Sequence, residues 1–304
     1  MKRIYLDNQA TTPIDPKVLS AMEPWLKDKF GNAASRNHPY GWEANEAVEI
    51  SREIIAGIIG AIPKEIIFTS GATEANNIAL QGVARFYKDK GRHIITLKTE
   101  HKAVLDICDY LEKEGFEITR LPPVKKDGLL DIEKFEDSIR PDTIMASVMH
   151  ANNEIGIIQP IREIGAICKK RGILFHVDAA QSIGKIPVDI NKMGIDLLSI
   201  SAHKLYGPKG VGALYLRQKD PRVQLQPIMY GGGHERGIRS GTLPVPSIVG
   251  FGKACEISQH VMAEESEKIQ SLRDTLMMMI QENIPKASVN GSMENRLPGN
   301  LNMS

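Results

Sequence analysis

The chain has 304 residues, of which 42% are hydrophobic and 25% charged, a composition typical of a globular protein and unlike a disordered or collagen-like chain. Its 38 Lys and Arg residues nearly balance 37 Asp and Glu residues, which leaves a net charge of +1. A charge this small provides no global field for nucleic acid or anionic lipid. We therefore expect no direct nucleic-acid partner and no membrane partner.

The N-terminus and the cysteines indicate a compartment. The apolar run at residues 4–6 is too short for a signal peptide, and no stretch of the sequence approaches the ~18 apolar residues of a membrane span. Cys108, Cys168 and Cys255 form neither a CxxC motif nor an even set, which argues against a disulfide framework or a zinc site. These features predict a reducing compartment, the cytoplasm or alternatively the mitochondrial matrix, and no bound metal.

Strand-like and helical patterns alternate from about residue 45 to 216, as in crossover units that build a mostly parallel sheet. The predicted strands are residues 65–70, 93–99, 143–149, 173–177, 196–201 and 212–216. The predicted helices are residues 43–60, 73–90, 102–115, 161–172 and 246–284, the last interrupted or bent once. The fold class is therefore α/β.

Two short strand-like pieces, 287–290 and 300–304, follow the last helix. A helix and two short strands cannot cover a sheet face without further partners. The expectation at this point is a chain cut inside a second domain.

Residues directly after the predicted strands carry the chemistry, because ligands of open α/β sheets bind beyond the carboxyl ends of the strands. Gly71 and Thr73 follow the first strand and open a helix, a setting that suits a phosphate or, alternatively, a simple N-cap. Asp178 ends a strand expected to be buried, where an acid needs a partner. Lys204, one crossover unit later, would alone be a solvated charge. Together they match pyridoxal phosphate, which needs a Schiff-base lysine, a carboxylate at its ring nitrogen and donors for its phosphate.

Four longer motifs lie at residues 6–13 (LDNQATTP), 152–156 (NNEIG), 195–204 (IDLLSISAHK) and 231–242 (GGGHERGIRSGT). Over the whole chain they resemble the class V aminotransferases, specifically the IscS- and NifS-type cysteine desulfurases. The resemblance implies a pyridoxal-phosphate-dependent transferase of fold type I. It also implies an N-terminal segment at 1–14 that packs with a small domain, a large cofactor domain at 15–258, and an incomplete small α+β domain at 259–304.

The same resemblance implies an activity and its partners. L-cysteine becomes L-alanine, and the sulfur passes as a persulfide to an enzyme cysteine, for iron–sulfur cluster assembly and tRNA thiolation. The implied partners are L-cysteine, a second copy of the chain in a homodimer, an iron–sulfur scaffold and other sulfur-acceptor proteins.

Five residues take roles at the cofactor ring by this resemblance. Lys204 carries the cofactor and then moves protons on the substrate α-carbon, and His101 stacks on the ring and assists that transfer. Asp178 keeps the ring nitrogen protonated, Gln181 bonds the phenolic oxygen, and Asn153 lies near the ring and the substrate carboxylate. A water-facing histidine at a helix start and an ordinary turn asparagine are the alternatives for His101 and Asn153.

The remaining implied contacts are to the phosphate. They come from Ala72, Thr73, Ser201 and His203, and from Thr242, which serves the neighbouring subunit's site across a two-fold interface.

The sequence departs from the family pattern in its sulfur chemistry. The family's acceptor cysteine and its substrate-carboxylate arginine lie in a region beyond residue 304, and Cys108, Cys168 and Cys255 are expected to be buried small hydrophobes. The expectation is a chain that encodes the cofactor half of the mechanism without its nucleophile. Two alternatives remain open: a related enzyme of this fold, such as a selenocysteine lyase or an aminotransferase, or a truncated, non-catalytic scaffold.

Overall fold

The computed structural model describes residues 3–124 and 126–304, and within them it contains one seven-stranded sheet and seven α-helices. The strands are β1 (Ile66–Thr69), β2 (His93–Leu97), β3 (Glu117–Leu121), β4 (Thr143–Met149), β5 (Leu174–Asp178), β6 (Leu197–Ser201) and β7 (Gly212–Leu216). The helices are α1 (Pro16–Lys27), α2 (Pro39–Ile59), α3 (Ala72–Tyr87), α4 (Lys102–Lys113), α5 (Ile132–Asp137), α6 (Ile161–Arg171) and α7 (Val245–Asn283).

The sheet has the order β1-β7-β6-β5-β4-β2-β3. All neighbouring strands are parallel except β7, which runs antiparallel to both β1 and β6. The predicted α/β class with a mostly parallel sheet is therefore confirmed. Parallel pairing brings the carboxyl ends of β2, β4, β5 and β6 to one edge, and the functional residues follow those ends.

Helices cover both faces of the sheet. Ile66 and Phe68 of β1 point into a core shared with α2, α6 and α7, whereas Ile67 points into a second core built on α3 and α4. Because successive side chains of a strand alternate between faces, a strand covered on both sides is apolar throughout. This explains why every residue of β1 and β2 is buried and why both strands are mostly apolar.

Three elements were absent from the predicted set. β3 lies at the edge of the sheet beside β2, and its residues are exposed or half-buried, so it has no apolar run. The short α5 presents one fully buried side chain, Phe135, and α1 presents Val18 and Met22. β3 and α5 have too few buried positions for a clear hydrophobic period, whereas α1 is amphipathic and was missed by the sequence analysis.

The last helix was expected to be interrupted or bent once; an interruption is wrong, because α7 runs without a break from Val245 to Asn283, and a bend stays a prediction. The two C-terminal pieces do pair, with an antiparallel bridge between Val289 and Met303. Since α7 crosses residue 258 as one helix, the proposed boundary between the domains would fall inside it, and residues 1 and 2 of the proposed N-terminal segment lie outside the described residues. No helix in the described part of the chain is both long and apolar enough to span a membrane.

Candidate active site

A cavity of about 420 Å³ lies beyond the carboxyl ends of the central strands. Its lining follows the ends of β1, β2, β4, β5 and β6. Nine of the ten predicted site residues line it: Ala72, Thr73, His101, Asn153, Asp178, Gln181, Ser201, His203 and Lys204. The tenth, Thr242, lies outside the cavity and is exposed in the loop before α7.

The first turn of α3 forms one wall of this cavity. Gly71 precedes the helix with φ 149°, a backbone region that favours glycine. The N–H groups at a helix start have no partner within the helix and carry the positive end of its dipole, so this wall suits an anion. The nearby Glu74 carboxylate would oppose one, but Arg239 Nε donates to it at 2.8 Å. The local chemistry therefore fits a phosphate.

Asp178 lies in the floor of the cavity and is 6% exposed. Its Oδ1 accepts the Ala180 N–H at 3.0 Å, and its Oδ2 accepts Asn76 Nδ2 at 2.8 Å. No Lys, Arg or His nitrogen of the described residues lies within 4.0 Å of it. A buried carboxylate held by neutral donors suits a cationic group supplied from the cavity, such as a protonated ring nitrogen.

Asn76 was missed by the sequence analysis. It is fully buried, and its Oδ1 has no hydrogen-bond partner. Helical spacing could have indicated it, because residues three or four apart share one face of a helix. Asn76 is four residues after Ala72 and three after Thr73. One face of α3 thus supplies both the first turn that suits an anion, called the anion wall below, and a hydrogen-bond donor to Asp178.

Lys204 lies in a single 3-10 turn that follows β6. Burial lowers the pKa of its ammonium, against the opposing influence of Asp178, Asp7 and Glu154. A lysine with a lowered pKa presents more of the neutral amine, which is the nucleophilic form. The sheet therefore places an activated amine and a buried carboxylate in one cavity.

Residues 9–12, within the N-terminal segment, hold the Lys204 turn in place through Thr11 and Thr12. The Thr12 N–H and hydroxyl both donate to the His203 carbonyl, at 3.0 and 2.9 Å, and the Tyr206 N–H donates to Thr12 Oγ1 at 2.9 Å. Thr11 Oγ1 lies 3.0 Å from His203 Nδ1. These bonds give part of the 6–13 motif a structural function that the sequence alone did not reveal.

His101 is the N-cap of α4, since its Nδ1 accepts the Ala103 N–H at 3.0 Å. The ring is exposed and lines the cavity as well, so both interpretations of this residue are compatible with its position. The adjacent Glu100 is buried, and its Oε1 accepts the Met149 N–H at 2.6 Å. Burial raises the pKa of Glu100 well above its usual range, which favours an uncharged acid that joins the His101 turn to β4.

Asn153 lines the cavity but donates to its neighbour Glu154 at 2.8 Å. The preceding Asn152 holds the loop in place: its Oδ1 accepts the N–H groups of Glu154 and Ile155, and its Nδ2 donates to Thr99 O at 3.0 Å. The first asparagine of the NNEIG motif is therefore structural, and the second faces the cavity.

The 231–242 segment is attached to the large sheet by a buried ion pair. Arg52 donates two hydrogen bonds to Glu235, at 2.7 and 2.8 Å, and the Phe68 N–H donates to the same carboxylate at 2.7 Å. Farther along, Arg239 binds Glu74 beside the anion wall. Both contacts precede Thr242 in the chain and hold in place the part of the loop that leads to it.

The three cysteines are buried, in α4, α6 and α7. Burial raises the pKa of Cys108 to about 12, and it raises the pKa values of Cys168 and Cys255 further. Since the thiolate is the reactive form, we expect no persulfide on these residues after incubation with L-cysteine and cofactor. Mass spectrometry of alkylated peptides checks this, with an added low-molecular-weight thiol as the positive control; a persulfide on any of the three would contradict it.

Comparisons with known proteins agree with this site. The aminotransferase class-V family model matches residues 4–304. A relative from Anaeromyxobacter dehalogenans, "Cysteine desulfurase IscS", is 56% identical over 301 residues, covering 99% of this chain and 74% of the relative. Among solved structures, a "NifS-like protein" superposes with a TM-score of 0.95 at 42% identity, covering 100% of this chain and 82% of that one. A second, "SspA in complex with cysteine", has a TM-score of 0.86 at 41% identity, with coverages of 99% and 83%.

The family match spans nearly the whole chain, and the relatives carry the names that the four motifs predicted. The resemblance is confirmed: the chain belongs to the class V aminotransferase family, among the IscS- and NifS-type cysteine desulfurases.

Proposed function

We propose that this chain binds pyridoxal phosphate and acts on L-cysteine as a cysteine desulfurase. The observation that supports this most directly is the single cavity that brings Lys204, Asp178 and the first turn of α3 together. The named activity of the 56% identical relative and the cysteine complex of SspA support the substrate.

The residues present fit the cofactor. Ala72, Thr73, Ser201 and His203 would hold the phosphate, Asp178 the ring nitrogen and Gln181 the phenolic oxygen. When bound, pyridoxal phosphate withdraws electron density from the substrate α-carbon. Asn76 and the Ala180 N–H keep the Asp178 carboxylate oriented into the cavity, which keeps its charge directed at that nitrogen.

The side chains then divide the proton transfers. The neutral amine of Lys204 takes and returns the proton at the substrate α-carbon, because burial favours its unprotonated form. His101 assists this proton transfer from the exposed side of the cavity. Its Nδ1 accepts a backbone N–H at the start of α4, which leaves Nε2 available for that role. Asn153 orients the substrate carboxylate from the loop after β4.

The sulfur step requires a second thiol. The carbon–sulfur bond of L-cysteine breaks, the sulfur joins an acceptor thiolate as a persulfide, and the released carbon receives a proton to give L-alanine. None of the three buried cysteines suits this role, because each is held in a helix with a raised pKa. The acceptor is therefore another thiol, and iron–sulfur scaffolds and other sulfur-acceptor proteins are the proposed downstream partners.

The proposed compartment is the cytoplasm, with the mitochondrial matrix as the alternative, in keeping with three free thiols.

The test supplies the folded chain with pyridoxal phosphate, L-cysteine and a soluble thiol in deuterated water. We expect a yellow protein, exchange of the cysteine α-hydrogen and alanine as the amino-acid product, with sulfide released slowly. A lyase selective for selenocysteine would leave L-cysteine unchanged. An aminotransferase, given a keto acid in a parallel reaction, would convert that keto acid to an amino acid. Either result would contradict the proposal, as would a chain that binds no cofactor.

A homodimer is part of the proposal, because Thr242 is exposed outside its own cavity and would reach the phosphate of a second copy. Association and cofactor binding then stabilise each other by mass action. We expect the affinity for pyridoxal phosphate to fall on dilution into the monomeric range, measured by fluorescence titration alongside light scattering. A monomer that binds with undiminished affinity would rule this out. We also expect Thr242→Ala to weaken cofactor binding, and its control is Thr275→Ala, at an exposed threonine of α7.

A further inference from the structure

Lys185 lies behind the wall of the cofactor cavity. It lines a second cavity of about 510 Å³, whereas Gln181 lines the cofactor cavity and Lys204 lines both. Lys185 Nζ donates to Gln181 Oε1 at 3.1 Å. Gln181 therefore separates Lys185 from the space in which the cofactor ring would lie.

The neighbours of Gln181 determine which way its amide points. An ammonium can only donate a hydrogen bond and a backbone carbonyl can only accept one. Lys185 Nζ is bonded to Oε1, and the Gln9 carbonyl accepts Nε2 at 2.9 Å. A flipped amide would place two donors together on one side and two acceptors together on the other. The two neighbours thus select one orientation and leave the second N–H of Nε2 available.

The charge on Lys185 strengthens this arrangement. Its ammonium forms no salt bridge within 4.0 Å to a carboxylate among residues 3–124 and 126–304, so the amide oxygen is its polar partner. Burial, with the nearby charge of Lys204, lowers the pKa of Lys185 to about 8, and the group remains mostly protonated at neutral pH. A cation on an amide oxygen polarises the amide and makes its N–H a better donor.

We propose that Lys185 is a positioning residue that holds the Gln181 amide with its nitrogen toward the phenolic oxygen of the cofactor. This role rests on the proposed function, since it presupposes that pyridoxal phosphate occupies the cavity. Lys185 itself contacts neither cofactor nor substrate. Its effect is to keep a hydrogen-bond donor, and not an acceptor, facing an oxygen that carries negative charge.

The experiment compares cofactor affinity and the absorption spectrum of the bound cofactor in the wild type, Lys185→Met, Lys185→Arg, Gln181→Met and the double variant Lys185→Met/Gln181→Met. We expect Lys185→Met and Gln181→Met each to weaken binding about tenfold, the usual effect of one hydrogen bond to a charged group, with the same spectral shift. The double variant should be no weaker than the single ones, because both remove the same contact. Lys185→Arg, which still donates, should restore affinity and spectrum.

Wild-type affinity and spectrum in Lys185→Met, or additive losses in the double variant, would overturn the role of Lys185 while leaving the proposed function intact. A wild type that binds no cofactor would overturn both. The matched control is Lys192→Met, because that lysine side chain is 79% exposed and lines neither cavity. If Lys185→Met does not fold, Gln181→Glu decides: it keeps a partner for Lys185 but removes the N–H, so full affinity would overturn the proposal.

Discussion

Replacing Lys204 with alanine is expected to abolish the covalent capture of pyridoxal phosphate and to slow exchange of the cysteine α-hydrogen by about 10³-fold, within the usual range for a general acid–base group. The amine is the group that both bonds the aldehyde and moves the proton, whereas the anion wall and Asp178 are untouched by the change. Borohydride treatment followed by peptide mapping measures the first effect, and mass spectrometry of recovered cysteine measures the second.

The control is Lys134→Ala, on α5, whose lysine side chain is 70% exposed. It should match the wild type in both measurements. Noncovalent binding should persist in Lys204→Ala at reduced affinity, because the phosphate contacts remain. A borohydride adduct on any other lysine, or an unchanged exchange rate, would show that a different amine serves the site.

The second large effect is on stability. Glu235→Leu is expected to lower the free energy of unfolding by about 3–5 kcal/mol, the cost of removing one partner of a buried ion pair, because the carboxylate that Arg52 then keeps belongs to Glu49, whose side chain is half-exposed. The side chains of Arg52 and Glu235 are only 5% and 3% exposed. Burial lowers the pKa of Arg52, and Glu235 together with Glu49 raises it by more. Because a guanidinium stays protonated in proteins, Arg52 keeps its charge when Glu235 is removed.

Urea unfolding followed by circular dichroism measures this change. Glu235→Gln is the matched variant, because an amide oxygen still accepts from Arg52 and from the Phe68 N–H, and we expect it to lose less than half as much. Equal losses for both variants would show that the charge of Glu235, which both variants remove, carries the whole effect and that the amide acceptor kept in Glu235→Gln adds nothing.

The sequence predicted the parallel core, and the same physical reason indicated at which edge of the sheet the cavity would lie. Central strands are buried on both faces and read as apolar runs, and the residues after them meet at one edge. Asp178 and Lys204 could be found this way, as could the start of α3. The edge strand β3 could not, because its exposed positions carry no hydrophobic pattern.

Several hydrogen bonds of polar side chains were also beyond the sequence. Helical spacing could place Asn76 on the cavity face of α3, but nothing in the order of residues indicated that it binds Asp178, that Lys185 binds Gln181, or that Thr12 binds the His203 carbonyl. Polar side chains of this kind have no periodicity, and their partners are defined only once the strands are assembled. The resemblance named residues that line the cavity, whereas the structure revealed those behind them.

The attachment of residues 9–12 to the Lys204 turn has a consequence for how the protein matures. Thr11 and Thr12 precede their partners at 203–206 by about 190 positions, so these two residues cannot bind the turn until six of the seven strands have been made. Contacts of such long range form late, because the chain must first be ordered between them. The complete cavity is thus one of the last features to form. Under the proposed function, a newly made chain would accept pyridoxal phosphate only after Thr11 and Thr12 have bound the turn at 203–206.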